Sequence, residues 1–542
     1  MRARRRPVPP PSCSVNFLAP ALQPPSCRAA AQATCGDGTG SFWVWLPATP
    51  SPARREERHI RHHLTHEETA VVGTRYVEIP SPAGPLDLTR PHFVGICGAD
   101  MSALAHLLAG HGAQVSGSDI KTGETASRLE TAGCRIRAGH DAANIAGASV
   151  VVWSSVIDAA NPEIVAARAA GVPVAHRSHV LAQLVAGAER SVVVTGTHGK
   201  STATAMLAAA VGHLSPSWAA GAAPVGGVNG HAGSGLLIAE GDESDRSVTL
   251  YRPEVGVVLN ADDDHPETFA GTADAVGTLT DFATQAGTLV VSADDVGARE
   301  VTGRVRGHGG THVVTFGEST KADVQLLSAV PAAAGGSMVT VLDPGEGQVS
   351  WTVRSPGRAA VLASLAAYSA GRALGEAPQV LAAGLSGFAG VQRRMQLLGA
   401  VQGVRVVDSF AHHPAAIIAD IAAARELTDG RVLVAFEPCG ATSVRVLGTR
   451  MGAALAGADE VVLLPVRDAV PTEAGAVTGE GIEHAAASAG VRVHTADGLV
   501  QAVGVLADLA RPGDVVVTMG VGEVAGLGAL LLQPLARPLT AV

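Results

Sequence analysis

The sequence predicts an α/β protein of three domains, Rossmann-like at each end with a phosphate-loop ATPase-like domain between them. Three observations predict it. The chain has 542 residues, more than one hydrophobic core normally organises, so about three domains are expected. From residue 90 onward, short apolar runs suited to strands alternate with stretches of helical period, the pattern of parallel sheets covered by helices. Near the middle, at residues 195–202, a strand-like run passes through a glycine-bearing turn into a helix-like one.

The elements follow in order. In the first domain, expected over residues 90–188, PHFVGIC is a strand, GADMSALAHLLAGHG a turn into a helix, and AQVSGSDI a second strand ending at Asp119. SRLETAGCRI, ASVVVWSSVI and PEIVAARAAGVPVAH continue the alternation. The central domain, 189–390, opens with SVVVT and continues with GLLIAE, EVGVVLN and GTLVVSA as strands. HVVTFG, DVQLLSA and SMVTVLD read as a patch of smaller antiparallel strands. In the third domain, 391–542, strands are expected at GVRVVDSF, RVLVAFEP, EVVLLPV, VRVHTA and DVVVTMG, separated by Ala-rich helices.

Composition bounds the function. At 47% hydrophobic and 16% charged the chain is globular with a large core, and its net charge of −10 argues against a nucleic-acid-coating protein. Cys13, Cys27, Cys35, Cys97, Cys134 and Cys439 form no C-x-x-C pair and no zinc spacing, which reads as reduced thiols in the cytoplasm. No uninterrupted apolar run of about 18 residues stands out, so no membrane partner is expected. Residues 1–89 differ from the rest, running from MRARRRPVPPPSCS to the charged RREERHIRHHLTHEE. The arginines are not followed by the apolar core of a transport peptide. Disorder, or translation from an upstream start, is the expectation for this stretch.

The strongest motif is Thr195-Gly196-Thr197-His198-Gly199-Lys200-Ser201-Thr202. The first turn of a helix leaves backbone N–H groups unpaired and carries a positive dipole end, so such a turn can cradle phosphate oxygens. Lys200 is placed for the β- and γ-phosphates and the Ser201 hydroxyl for Mg²⁺. The glycine that begins the general phosphate-loop pattern is Val194 here. An accidental Gly-Lys-Ser at a helix start is the competing reading, and the strand–loop–helix context disfavours it. Glu240, followed by Asp242, Glu243 and Asp245, ends one apparent strand. Asn260-Ala261-Asp262-Asp263-Asp264-His265 follows another. Strand ends of an open parallel sheet are where ligands bind, and hard oxygens suit Mg²⁺, although in isolation both runs would read as solvated loops.

The T-G-T-x-G-K-[ST]-[ST] loop resembles that of the Mur ligase family. PHFVGICGADMSALA, SGSD, VVVWSSVI, NPEIVAARAAGVPV, ESDRS, GVQRRM, AHHP and GDVVVTMGVGEV are similar, in the same order, to segments of the branch that adds the first amino acid in peptidoglycan assembly. The resemblance implies an ATP- and Mg²⁺-dependent ligase joining the carboxylate of a UDP-sugar to an amino acid through an acyl phosphate, acting as a monomer or homodimer in the cytoplasm. It implies that Gly196, Thr197, His198, Gly199, Lys200, Ser201 and Thr202 hold ATP, that Arg394 reaches the phosphates, and that Asp408 accepts the ribose hydroxyls. By the same resemblance Ser201 holds one metal ion, and Glu240 and His265 hold a second. Lys200, His265 and His412 carry the catalytic roles, with His412 orienting or deprotonating the amine; His412 and His413 read equally well as loop histidines. On the UDP side it points to Gly95, Gly98, Asp119, Ser154 and Ser155.

Several positions depart from the family pattern. The first glycine loop carries Cys97 and Asp100 where glycines are usual, and a carboxylate beside a diphosphate is unfavourable. Asp119 after such a loop also fits a dehydrogenase, a reading that leaves the phosphate loop and the acidic clusters without a task. The G-x-H-N segment that reads adenine becomes Gly357-Arg358-Ala359-Ala360, with Ala363 following. F-Q-P-H-x-Y-S-R becomes Phe436-Glu437-Pro438-Cys439-Gly440-Ala441-Thr442-Ser443, so the residues that would clamp the amino-acid carboxylate are replaced, with Arg445 displaced by two positions. D-D-Y-x-H-H-P becomes Asp408-Ser409-Phe410-Ala411-His412-His413-Pro414. Three functions follow: the first-amino-acid ligase with compensating contacts, a paralogue joining another amine and carboxylate in specialised metabolism, and a non-catalytic nucleotide-binding homologue.

Overall fold

The computed structural model describes residues 14–17, 30–34, 41–45, 79, 81–82, 84–262, 264–265, 268–332, 336–467 and 477–536. Within residues 1–74, Ser14–Phe17, Ala30–Thr34 and Ser41–Trp45 pair as an antiparallel three-stranded sheet. The ordered body starts before residue 90: Leu86 is buried, and its N–H and C=O both bond the Gln183 side chain.

The first domain is an all-parallel sheet in the order Arg135–Ala138, Ser116–Asp119, Pro91–Val94, Val150–Trp153, Val174–His176. Strands at its centre are continuous apolar runs, as burial on both faces requires. Local signals set the helix ends. Asn161 caps Pro162–Ala170 and Gly171 closes it in the left-handed region, while the His176 side chain caps Arg177–Gly187.

The central sheet has ten strands: Gly230–His231, Ser217–Ala219, Leu236–Glu240, Arg190–Thr195, Val255–Val258, Thr288–Ser292, His312–Gly317, Val324–Pro331, Ser337–Asp343 and Gly347–Val353. Pairing is parallel from Ser217–Ala219 through Val324–Pro331 and antiparallel at both ends. HVVTFG is therefore a parallel strand, against the sequence expectation. The antiparallel meander is instead completed by Gly347–Val353, a strand the apolar pattern does not single out. Its Trp351 stacks on Tyr368 of helix Arg358–Ala373 with centroids 4.9 Å apart, and its Nε1 donates to the Ser364 hydroxyl at 3.1 Å.

The third domain orders its strands Gln396–Val401, Val404–Ser409, Val515–Gly520, Val432–Glu437, Glu460–Leu463, Arg492–Thr495, all parallel except the first pair. Close contact joins the first two domains. Gly230 lies so near helix Ala99–Gly110 that an added Cβ would stand 2.1 Å from the Ala103 carbonyl oxygen. The Asn229 amide donates to the Ala99 carbonyl at 2.7 Å and to the Ser102 hydroxyl at 2.9 Å. Among the described residues, no helix is long and apolar enough to cross a membrane.

Candidate active site

The phosphate-type loop joins strand Arg190–Thr195 to helix Lys200–Ala210, and two glycines shape it. Gly196 has φ 127°, with its α-carbon against the backbone of Asn260: a Cβ would sit 2.9 Å from both the nitrogen and the oxygen. Gly199, at φ 88°, is the residue before the helix and turns the chain so that the first-turn N–H groups remain open. Asn260 pins the loop from the neighbouring strand. Its side chain accepts the His198 N–H at 2.8 Å and donates to the His198 carbonyl at 3.0 Å, while Thr197 Oγ1 accepts from the Asp262 N–H at 2.9 Å. Thr202, in the helix's first turn, is half-buried.

Lys200 extends to Glu243, with Nζ 2.9 and 3.0 Å from the two carboxylate oxygens. Burial works against the ammonium charge, but Glu243, Asp242 and Glu240 hold it above the ordinary lysine range. Ser201 Oγ donates to Glu240 Oε1 at 3.1 Å, and the Gly221 N–H donates to Oε2 at 2.5 Å. Burial raises the Glu240 carboxyl and Asp100 raises it further, against the opposing pull of Lys200, Gly221 and Ser201. A half-buried carboxylate beside a hydroxyl is a hard-oxygen donor set that fits Mg²⁺. His265 stands on the loop after Val255–Val258, in the left-handed region at φ 56°, with Nε2 3.8 Å from Asp264. Ser201 and Glu240 are thus brought together, whereas the carboxylate beside His265 is Asp264. Asp263 lies outside the described residues.

Arg177 carries no motif that would single it out in the sequence. Buried at the start of its helix, it binds Asp242 at 2.7 Å, Asp245 at 3.3 Å and Asp100 at 3.4 Å. Burial opposes its charge, and the three carboxylates more than restore it. The Asp242 carboxyl is held far below the usual range, against burial, by Arg177 and Lys200. This guanidinium answers the objection to Asp100: the carboxylate turns to Arg177 at the domain boundary.

On the first domain, Gly95 takes φ 77° and Gly98 precedes helix Ala99–Gly110. Asp119 accepts the N–H groups of Cys97 at 3.0 Å and Lys121 at 2.9 Å, so it organises the loop itself. Ser154 is buried, and the Ser155 hydroxyl lies between His176 Nε2 and Asp245, 3.1 Å from each.

The third domain contributes a second cluster. Both Asp408 oxygens are engaged, one by Arg393 Nε at 3.1 Å and one by the Thr518 hydroxyl at 2.8 Å. Arg393 also donates to the Gly520 carbonyl at 2.7 Å. Arg394 lies over Phe410, 5.0 Å from the ring centroid. Burial lowers its guanidinium below the ordinary range, while Glu240 and Asp420 act to restore it, which puts Arg394 within the field of the central carboxylate. His412 Nδ1 lies 2.9 Å from the Phe410 carbonyl. A carbonyl only accepts, so Nδ1 carries the proton and Nε2 keeps its lone pair. Burial lowers the His412 pKa against that hydrogen bond, so the ring is neutral near pH 7.

The rewritten segment shows what stands in the clamp's place. Glu437 is buried at the end of its strand, accepting from Arg467 Nε at 2.7 Å and from the Val524 N–H at 2.7 Å. Arg467 also reaches Glu523 at 3.0 Å. A cavity of about 330 Å³ opens beside them, lined by Glu437, Val466, Arg467, Asp497 and Glu523 among others. Arg445, the substitute suggested by sequence, is exposed on helix Ala441–Ala454. At the position of the missing adenine-reading pair, Arg358 pairs with Glu318 at 2.7 Å and Ala360 is buried. The partners of Arg393, Asn260, Glu243 and Arg177 are invisible in the sequence, because contacts between distant residues carry no local signal.

Comparison with known proteins agrees with this arrangement. Three family profiles match: "Mur ligase family, catalytic domain" over residues 90–189, "Mur ligase middle domain" over 231–371 and "Mur ligase, glutamate ligase domain" over 393–522. The UDP-N-acetylmuramate–L-alanine ligase of Streptomyces avermitilis is 43% identical over 468 residues, 84% of this chain and 100% of the relative. That of Kineococcus radiotolerans is 42% identical over 469 residues, 84% of this chain and 98% of the relative. Among solved structures, the UDP-N-acetylmuramate–alanine ligase of Thermotoga maritima superposes with a TM-score of 0.70 at 26% identity, covering 82% of this chain and 98% of that one. The chain therefore belongs to the Mur ligase family, the ATP-dependent ligases that form amide bonds.

Proposed function

We propose that this Mur ligase is a UDP-N-acetylmuramate–L-alanine ligase of peptidoglycan biosynthesis. The carrying observation is that relatives bearing that activity match at 43% identity over their full length. The geometry around Lys200, Ser201 and Glu240 supports it. In this reading the protein works in the cytoplasm on small molecules alone, as a monomer or homodimer.

The loop amides and Lys200 take the β- and γ-phosphates of ATP, with Lys200 exchanging Glu243 for phosphate oxygens. Ser201 and Glu240 would hold Mg²⁺, which supplies charge neutralisation at the phosphates. The substrate carboxylate attacks the γ-phosphorus, giving an acyl phosphate and ADP. The amine nitrogen then attacks the acyl carbon, phosphate leaves, and His412 Nε2 takes the amine proton. Arg394 steadies the phosphate from the third domain. Closure of that domain keeps water from the acyl phosphate. Arg467, the guanidinium lining the cavity beside Glu437, takes the place of the lost clamp and holds the amino-acid carboxylate.

The replaced segment 439–443 favours a second reading, a paralogue with a different amine. ADP release by the purified chain with ATP, Mg²⁺, UDP-N-acetylmuramate and each amino acid in turn separates them. Stimulation by L-alanine alone is the expected result. Equal silence with every amino acid, while ATP still binds, would overturn the assignment.

A further inference from the structure

One cluster is not used by the ligase mechanism. His198 projects from the phosphate loop, Asp264 from the loop after Val255–Val258, and His413 stands immediately before helix Pro414–Arg425 of the third domain. One donor atom from each lies within 4.8 Å of the other two. His413 Nε2 is 4.0 Å from Asp264 Oδ1, and the two imidazole rings are 5.3 Å apart at a tilt of 36°.

The second observation is independent of that proximity. His413 is 5% exposed, and neither ring nitrogen has a hydrogen-bond partner; Nε2 of His198 is also buried without one. A buried polar atom left unpaired is costly, so one nitrogen from each of two rings facing the same carboxylate is a penalty that a bound cation would remove. The positions are not loosely held. Asn260 clamps the His198 backbone from both sides, and Asp264 is tied through its Oδ1 to the His265 N–H at 2.8 Å. A second carboxylate, Asp262, stands 3.9 Å from His198 Nε2.

We infer that His198, Asp264 and His413 form a binding site for a first-row transition-metal ion of the zinc type, separate from the Mg²⁺ position at Ser201 and Glu240. Two imidazoles and one carboxylate are borderline ligands that suit Zn²⁺ or Co²⁺, whereas Mg²⁺ prefers oxygens alone. Tetrahedral coordination with bonds of about 2.0–2.1 Å needs ligand atoms roughly 3.3 Å apart, so a modest inward rotation of the rings completes it. Two ligands belong to the central domain and one to the third, so the ion ties the third domain to the phosphate loop and holds the pair closed. Micromolar zinc then slows turnover by opposing reopening.

The test uses Co²⁺ as a visible probe, added to the full chain with Mg²⁺ in excess and no nucleotide. The N-terminal run offers a rival set, His59, His62, His63 and His66, so all four are changed to Asn in one variant. The expected result is one Co²⁺ per chain with the absorption of a four-coordinate ion, displaced by Zn²⁺ and retained in that variant. In His413→Asn and in Asp264→Asn the binding weakens at least tenfold, and a Zn²⁺-induced rise in Tm seen in the parent disappears. Each variant is checked for a cooperative melt without metal, and the comparison is made on the variant that keeps it. No Co²⁺ bound by the parent, a spectrum unchanged in the variants, or one lost with the four N-terminal histidines would overturn the site. The readout does not depend on ligase substrates, so failure of the alanine-ligase reading would leave it standing.

Discussion

The phosphate loop and the turn at residues 437–441 use the same backbone device for different cargo. Each leaves the end of a parallel strand and enters a helix through a positive-φ glycine, Gly199 at 88° and Gly440 at 80°. In the first, the helix opens with Lys200 and Ser201, and buried carboxylates stand opposite. In the second it opens with Ala441, Thr442 and Ser443, and the charge comes from Arg467 of the next strand's loop. A helix start supplies a generic place for an anion; the side chains delivered there decide the chemistry. The central turn delivers a lysine and a serine hydroxyl, and the third-domain turn delivers neither a lysine nor an arginine.

The largest expected effect lies in the first turn. Lys200→Ala lowers the rate of ADP formation by ~10³-fold, measured at saturating substrates, because the ammonium at the start of the helix is the cation that the loop itself supplies. The scaffold beneath is tested next. Arg177→Ala leaves Asp242, Asp245 and Asp100 without their common partner, and stability falls by about 3 kcal/mol in denaturant unfolding. The third-domain turn should respond differently. Arg467→Ala raises the KM for the amino acid by roughly tenfold or more with kcat changed less, whereas Arg445→Ala alters neither beyond about twofold. Equal effects from the two arginines would erase the distinction drawn between the turns.

The smallest effect is on pH. Burial lowers His176 and His198 from 6.5 to about 4. The unfolded chain then binds more protons between those values. The stability contributed by the neutral rings is complete above about 6.5 and is lost progressively as pH falls towards about 4. A Tm measured across that interval should decline on acidification, less steeply in His176→Gln.

The three-domain α/β plan is legible because strand runs such as SVVVT and DVVVTMG are continuous and apolar, which parallel strands buried on both faces require. Gly347–Val353 lacks such a run: GQVSWTV signals its strand only by alternation, with polar residues on its open face. The pairing of HVVTFG is hidden too, because a run of six cannot tell which neighbour it will meet. In the site, Lys200 and Ser201 are legible from local spacing. Glu243 and Arg177 are not, since a salt bridge between residues 43 positions apart, or a guanidinium serving three carboxylates from two domains, leaves no periodic trace. Asp119 and Ser155 can be located near strand ends from sequence, yet their hydrogen bonds to their own surroundings only emerge in three dimensions.

The bond between Lys200 and Glu243 has one more consequence. With its lysine matched to an internal counter-ion, the loop is not a bare positive hole. Any incoming anion must out-compete a carboxylate held at 2.9 Å in a buried setting, and its net gain is the difference between two ion pairs. A lone orthophosphate or a sulfate offers little beyond what Glu243 already provides. A triphosphate that also engages the loop amides and the second carboxylate offers several contacts at once. At this lysine a ligand that grips in more than one place is favoured over a small single anion.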